Sequence, residues 1–167
     1  CDTVQKLNAD IIVFTGDLAD GTPQDLAFDI SPLIDIDAPL GKYFVTGNHE
    51  YYSGALRWAH EARMLGFKVL INEHRVIKYK NSLLTLAGVT DIRGGAFFKS
   101  HQSSPEKAIR GCPDKSFKLL LAHQPTSIYK AAHAGFDLQL SGHTHGGQYF
   151  PFNYLIRLEH PFVKGMF

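Results

Sequence analysis

The residues best suited to chemistry in this chain of 167 residues are histidines, carboxylates and one amide, gathered in short polar clusters. The densest cluster is Leu140-Ser141-Gly142-His143-Thr144-His145-Gly146-Gly147. It follows Phe136-Asp137-Leu138-Gln139-Leu140, whose apolar/polar alternation predicts a short strand. Where chain stays extended past that strand, His143 and His145 project to the same side, because side chains repeat every two residues. The flanking glycines permit unusual backbone angles and keep bulk away, so both imidazoles can turn toward one centre. Neutral imidazoles in an H-x-H pair suit a divalent metal ion. Taken alone, the pair fits an exposed loop holding two histidines equally well.

Three further clusters stand beside it. Asp17 and Asp20 follow the apolar run at 11–14, Asn48 and His49 follow the run at 42–45, and His123 follows the run at 118–122. Each has a plain explanation: turn chemistry for Asp17 and Asp20 before Gly21, a turn for Asn48 after Gly47, a core histidine for His123. All four, however, occupy the same place relative to a predicted strand. In α/β proteins ligands gather beyond the carboxyl ends of strands, where separate loops converge. A carboxylate, an amide oxygen and imidazoles form a mixed oxygen/nitrogen set suited to Mn, Fe, Zn or similar ions and poor for a thiolate site.

The elements that must position these clusters are legible as a βα alternation. Strands are expected at 11–14, 42–45, 67–71, 118–122 and 136–140, and a hairpin at 74–80 and 83–89 around Lys80-Asn81-Ser82. The run at 11–14 is continuous and apolar, as in strands buried on both faces. Helices are expected from Thr22-Pro23 through Phe28, interrupted at Ser31-Pro32; from Gly54 to Leu65, capped by Ser53 and stopped by Gly66; and from a Thr126 cap to Gly135. Residues 91–116 are polar, with one short helix at 105–109, and the aromatic tail from 149 to 167 reads as irregular and packed on the sheet. No repeat, linker or low-complexity block divides the chain, so one α/β domain over 1–167 is the economical reading.

Composition narrows the function. With 44% hydrophobic and 20% charged residues the chain is ordinary globular material. A net charge of +1 without a basic run gives no nucleic-acid signature. Two cysteines, Cys1 and Cys112, make neither a disulfide framework nor a C-x-x-C site. No apolar run approaches the ~20 residues of a membrane span. The absence of an initiating Met, and the short lead into the first strand, carry the expectation of a piece cut from a longer protein.

The clusters Gly16-Asp17-x-x-Asp20, Gly47-Asn48-His49-Glu50, His123 after an apolar strand, and Gly142-His143-Thr144-His145 resemble, in order, the motifs of the calcineurin-like metallophosphoesterase family. The resemblance spans 16–145. Asn48-His49-Glu50-Tyr51-Tyr52 and the extension to Gly146-Gly147-Gln148 look most like a bacterial branch often found behind membrane segments or export signals. The resemblance implies an α/β/β/α sandwich of two mixed sheets, truncated here at both ends. It implies hydrolysis of a phosphoric ester, monoester or diester, by a hydroxide bridging two divalent ions. Two such ions roughly 3.5–4 Å apart lower the pKa of a shared water toward ~7 and clamp the attacking and leaving oxygens. Asp17 would bridge them; Asn48, His123 and His143 would complete one ion and His145 would serve the other. His49 would protonate the leaving group or stabilise the transferring phosphoryl, oriented by Asp20. The implied partner is a phosphate-ester substrate, with membrane association through segments outside this chain.

One departure stands out: the family's upstream D-x-H pair, two more ligands for the ion of His145, has no counterpart in this sequence. The expectation is that this segment is cut away, leaving that ion with an incomplete set. A scaffold that keeps the fold without the chemistry, and other H-x-H hydrolases of metallo-β-lactamase-like or amidohydrolase-like type, remain as alternatives. Tyr51, Tyr52, Arg93, Lys99 and His101 are candidates to line the pocket. His60, His74, His133 and His160 read as structural or surface histidines.

Overall fold

The computed structural model describes residues 1–18, 20–159 and 161–167, with side chains other than those of residues 152, 153, 157 and 159. After a short helix α1 (Asp2–Lys6), the chain builds a parallel sheet from β1 (Ile12–Phe14), β2 (Lys42–Phe44) and β3 (Phe67–Val69), in that order. Helix α2 (Ala27–Ile30) lies between β1 and β2, and α3 (Asn48–Ser53) with α4 (Ala55–Met64) lies between β2 and β3. A second sheet of order β4-β5-β6-β7 contains β4 (Glu73–Tyr79), β5 (Ser82–Gly88), β6 (Phe117–Leu121) and β7 (Leu138–Leu140). The β4/β5 pair is the expected antiparallel hairpin, turning between Tyr79 and Ser82, whereas β6 and β7 run parallel to β5. Of the two sheets, then, one is parallel and the other mixed.

Alternation along the strands separates the core into three layers. Phe44, Phe67 and Val69 face α4, where they meet Trp58, Ala59 and Ala62. Tyr43 and Val45 point the opposite way and pack with Leu70, Ile77, Leu86 and Leu121 between the sheets. On the far side of the second sheet, Ala87, Val89, Leu120 and Ala122 pack with Ala108 of α6 (Pro105–Ile109) and Ala131 of α7 (Ile128–Ala134). The result is a helix/sheet/sheet/helix sandwich. Apolar area removed from water in these layers supplies the main driving force, at about 25 cal/mol per Å².

Several helices start elsewhere than the sequence suggested. Thr22 Oγ1 does accept the Asp25 amide, but this closes a turn, and regular helix waits until Ala27. Ser31-Pro32 then converts it to a 3-10 turn over Ser31–Ile34. Ser53 ends α3 instead of capping α4, its hydroxyl donating to the His49 carbonyl, and Gly54 at φ +112° links the two helices. Thr126 sits in a 3-10 turn, Pro125–Ser127, so α7 begins later and stops at Gly135 as expected. Residues 91–116 hold α5 (Gly94–Phe97) and a 3-10 turn (Lys99–His101) besides the expected α6.

Two expectations about burial are corrected. Strand β1 is only half-buried, because it forms the edge of its sheet among the described residues and has a neighbour on one side. The tail contains α8 (Phe152–Glu159), so it is not irregular. Phe162 lies tilted against Tyr129 at 5.8 Å between ring centroids, yet Phe150, Tyr154, Leu155 and Leu158 are exposed, so packing describes only part of it. His160 and the Phe152 side chain lie outside the described residues.

Candidate metal centre

The carboxyl ends of β1 and β2 are locked together by one side chain. Glu50 is the third residue of α3, whose N-cap is Gly47 in extended conformation. Its carboxylate accepts the Gly47 amide at 2.6 Å, the Asp17 amide at 3.0 Å and the Leu18 amide at 2.7 Å. Glu50 is wholly buried, and burial pushes its pKa up against the opposing pull of these three donors. Asp17 is thereby held at φ +57°, a left-handed conformation costly for a non-glycine residue. The two turns touch so closely that a Cβ on Gly47 would collide with the Asp17 side chain and lie 2.8 Å from His123 Nδ1. Glycine is required there by contact rather than by its own torsions.

Above this base, four acceptor-type atoms converge. His123, buried at the end of β6, donates Nδ1–H to the Thr15 carbonyl at 2.7 Å, which leaves Nε2 facing the site. Around Nε2 stand Asp17 Oδ2 at 3.0 Å, His143 Nδ1 at 3.1 Å and Asn48 Oδ1 at 3.2 Å. Asp17, His123 and His143 each offer a ligand atom, all within 4.8 Å of one another. Burial pushes the Asp17 carboxyl up, but the His123 hydrogen bond, the His49 amide and the two imidazoles outweigh it and hold its pKa below the usual value. Burial likewise pushes His123 down, and its contacts to Asp17 and the Thr15 carbonyl reverse the sign, raising its pKa above 6.5. The clustered lone pairs thus favour a proton on His123 more than water does on a free imidazole. The donor set fits a divalent ion well: a buried imidazole with a fixed tautomer, a carboxylate, an amide oxygen and a second imidazole.

His49 sits at the rim. Its main-chain N–H donates to Asp17 Oδ1 at 2.9 Å, its Nδ1 meets Asp20 Oδ1 at 3.1 Å, and its Nε2 lies 4.0 Å from Asp17 Oδ2. The ring is 38% exposed and Asp20 89% exposed, so this pair works in contact with solvent. The Tyr52 ring lies edge-on to His49 at 5.8 Å.

Asp17, Asn48, His123 and His143 are thus brought together, and Asp20 meets His49. His145 is exposed, at φ +50°, and is not in the Asp17–His123–His143 group. It lines the same recess of about 470 Å³, which Val163 and Lys164 reach from the tail. Among the pocket candidates, Tyr51 and His101 are buried and bonded to each other, Tyr51 hydroxyl to His101 Nδ1 at 2.8 Å. Burial pushes the Tyr51 phenol up to about 12. They support α3 instead of lining a pocket; Tyr52, Arg93 and Lys99 are exposed. His60 and His133 are exposed, and His74 meets the Ala108 carbonyl at 2.7 Å, as structural or surface residues should. The sequence reading gave no role to Glu50 or Lys164. For Glu50 a signal existed, since a Glu three residues after an N-cap is half of a capping box.

Residues 2–147 match the family model described as calcineurin-like phosphoesterase. A Danio rerio protein named transmembrane protein with metallophosphoesterase domain is 35% identical over 171 residues, 98% of this chain and 39% of that protein. Its Bos taurus namesake is 38% identical over 174 residues, with the same shares. An uncharacterised metallophosphoesterase of Campylobacter jejuni is 35% identical over 167 residues, 98% of this chain and 43% of its own. The chain thus spans about two-fifths of the length of these relatives.

Two outcomes follow from the geometry. A cation entering the site must displace any proton on His123, whose pKa is raised above the ordinary imidazole value, so metal affinity should rise with pH and level off once His123 is neutral. Calorimetric titration in buffers of different ionisation enthalpy should show proton release, and a pH-independent affinity would contradict it. Glu50→Gln puts an N–H₂ donor against main-chain donors. It should cost about 1–3 kcal/mol of unfolding stability and weaken metal uptake. Denaturant melts and metal titrations matching the wild type would show that the clamp is dispensable.

Proposed function

The chain belongs to the calcineurin-like phosphoesterase family, and on that premise we propose that it hydrolyses a phosphoric ester with the help of divalent metal ions held by its strand-end residues. What supports this reading most is the convergence of Asp17, Asn48 and His143 on His123 Nε2, within 3.0–3.2 Å. Asp17, Asn48, His123 and His143 would hold one ion, and Asp17 with His145 would contribute to a second. Bound there, such ions supply Lewis-acid polarisation of the phosphoryl oxygens and lower the pKa of water. Residues 1–167 are read as part of a single metallophosphoesterase domain.

The remaining work falls to His49. Asp20 accepts its Nδ1–H, which fixes the ring and leaves Nε2 to carry the mobile proton toward the site. From there it can protonate the departing oxygen, or donate a hydrogen bond to a phosphoryl oxygen as charge builds. Tyr52, edge-on to the ring, limits its swing.

The two vertebrate relatives are named as transmembrane proteins. Among the described residues of this chain no helix is long and apolar enough to cross a membrane. We infer that the full protein works at a membrane, through segments outside this chain; recovery of the full-length protein wholly in a soluble fraction would contradict that.

The enzymatic reading is tested by metal analysis together with mono- and diester assays on full-length protein. Asp17→Asn should lose metal and turnover together. His49→Gln should keep metal while turnover falls about 10²–10⁴-fold. That loss should shrink for esters with very acidic leaving groups, which depart without a proton. A His49→Gln protein with equal losses across leaving groups, or an Asp17→Asn protein with full metal and turnover, would count against the assignment.

A further inference from the structure

If His49 serves the leaving group, whatever lies beyond His49 from Asp17 faces the leaving group's body. The side chains next to His49 form one built surface. Tyr52 stands edge-on to His49, its hydroxyl accepts from Arg93 Nη1 at 2.8 Å, and Phe97 tilts against the Tyr52 ring at 6.3 Å. Tyr52 and Phe97 are 53% and 47% exposed, so their faces are open to a ligand.

The segment carrying Arg93 is anchored, not loose. Asp91 is buried and accepts the Arg93 amide at 2.8 Å and the Gln124 side-chain amide at 2.9 Å. Gly94 packs so tightly that a Cβ there would lie 2.6 Å from the Tyr51 hydroxyl and 2.8 Å from the His101 carbonyl. The Tyr51–His101 bond ties the same segment to α3, the helix that bears His49. The Arg93 main chain is therefore fixed against α3, and the Tyr52 hydroxyl ties its guanidinium to that helix.

Its charge is uncommitted. Among the described residues no carboxylate forms an ion pair with the Arg93 guanidinium. Asp91, two residues away, spends its oxygens on the amides just named, and Asp20 is engaged with His49 Nδ1. A guanidinium with free donors, steadied by a neutral phenol, is suited to a forked bond with an anionic oxygen pair.

We propose that Arg93, with Tyr52, is a specificity residue that favours phosphoesters whose leaving group carries an anionic group of its own, a phosphate or a carboxylate. This rests on the phosphoesterase reading above. Lysine at this place would keep the charge but lose the fork.

The test uses metal-loaded full-length protein and three aryl phosphate esters with leaving groups of matched pKa: uncharged, carboxylated and phosphorylated. Wild type should favour one or both charged esters in kcat/KM, and which of the two is preferred identifies the anion. Arg93→Gln should lower the charged-to-uncharged ratio about tenfold, and Arg93→Lys by less. Equal kcat/KM losses on all three esters would overturn the proposal. Binding of the free carboxylated and phosphorylated phenols, measured by calorimetry, is the independent arm. Both should bind, at least one of them about tenfold more weakly to Arg93→Gln. Absence of turnover on every ester would defeat the phosphoesterase reading alone, whereas equal phenol affinities in wild type and variant would defeat the Arg93 assignment alone.

Discussion

Glu50 accepts three main-chain N–H groups from two separate loops, and the placement of Asp17, Asn48 and His49 follows from that contact. The loops leave adjacent parallel strands, β1 and β2, whose spacing is fixed by the sheet. A wholly buried carboxylate needs donors, and the turn amides of residues 17, 18 and 47 need acceptors; each solves the other's problem. With Asp17 held in the left-handed region, its side chain rises toward His123 and meets the His49 amide. Asn48 and His49 start α3 directly above. A single change at Glu50 therefore reaches the site without touching any ligand-type atom.

The second constraint is the sandwich itself. Asp17 and Asn48 come from the parallel sheet, His123 and His143 from the strand ends of the mixed one. The bond from His123 Nδ1–H to the Thr15 carbonyl crosses between them, and the shared core of Tyr43, Val45, Leu70, Leu86 and Leu121 sets its length. Bringing lone pairs from two sheets to within 3.0–3.2 Å of one nitrogen is electrostatically unfavourable without a positive charge among them. A proton on His123 would supply that charge in part; a divalent ion would satisfy every acceptor at once.

Much of this could be read in the residues because apolar strand runs and the polar groups that end them leave strong local marks. The hairpin about Lys80-Asn81, the helix at 105–109 and the Gly66 and Gly135 stops all carry such marks. Helix α3 carries only the half capping box of Glu50: Asn-His-Glu-Tyr-Tyr-Ser lacks a helical apolar period and begins three residues after β2. Its inward residues, Glu50 and Tyr51, find partners 32 to 50 positions away, which no window of sequence displays. Tyr51 and His101 looked like pocket residues by type, and only the fold shows that they satisfy each other. The half-burial of β1 depends on how many neighbours its sheet provides, a property of the fold rather than of the run at 11–14.

The central claim is that Asp17, Asn48, His123 and His143 form one divalent-ion site. Anomalous diffraction from crystals of the full-length protein grown with Mn or Zn tests it most directly. The account predicts a peak bonded to Asp17 Oδ2, Asn48 Oδ1, His123 Nε2 and His143 Nδ1, at roughly 2.0–2.2 Å for Zn. A fully occupied peak elsewhere, with Asn48 and His143 turned away from His123, would contradict it.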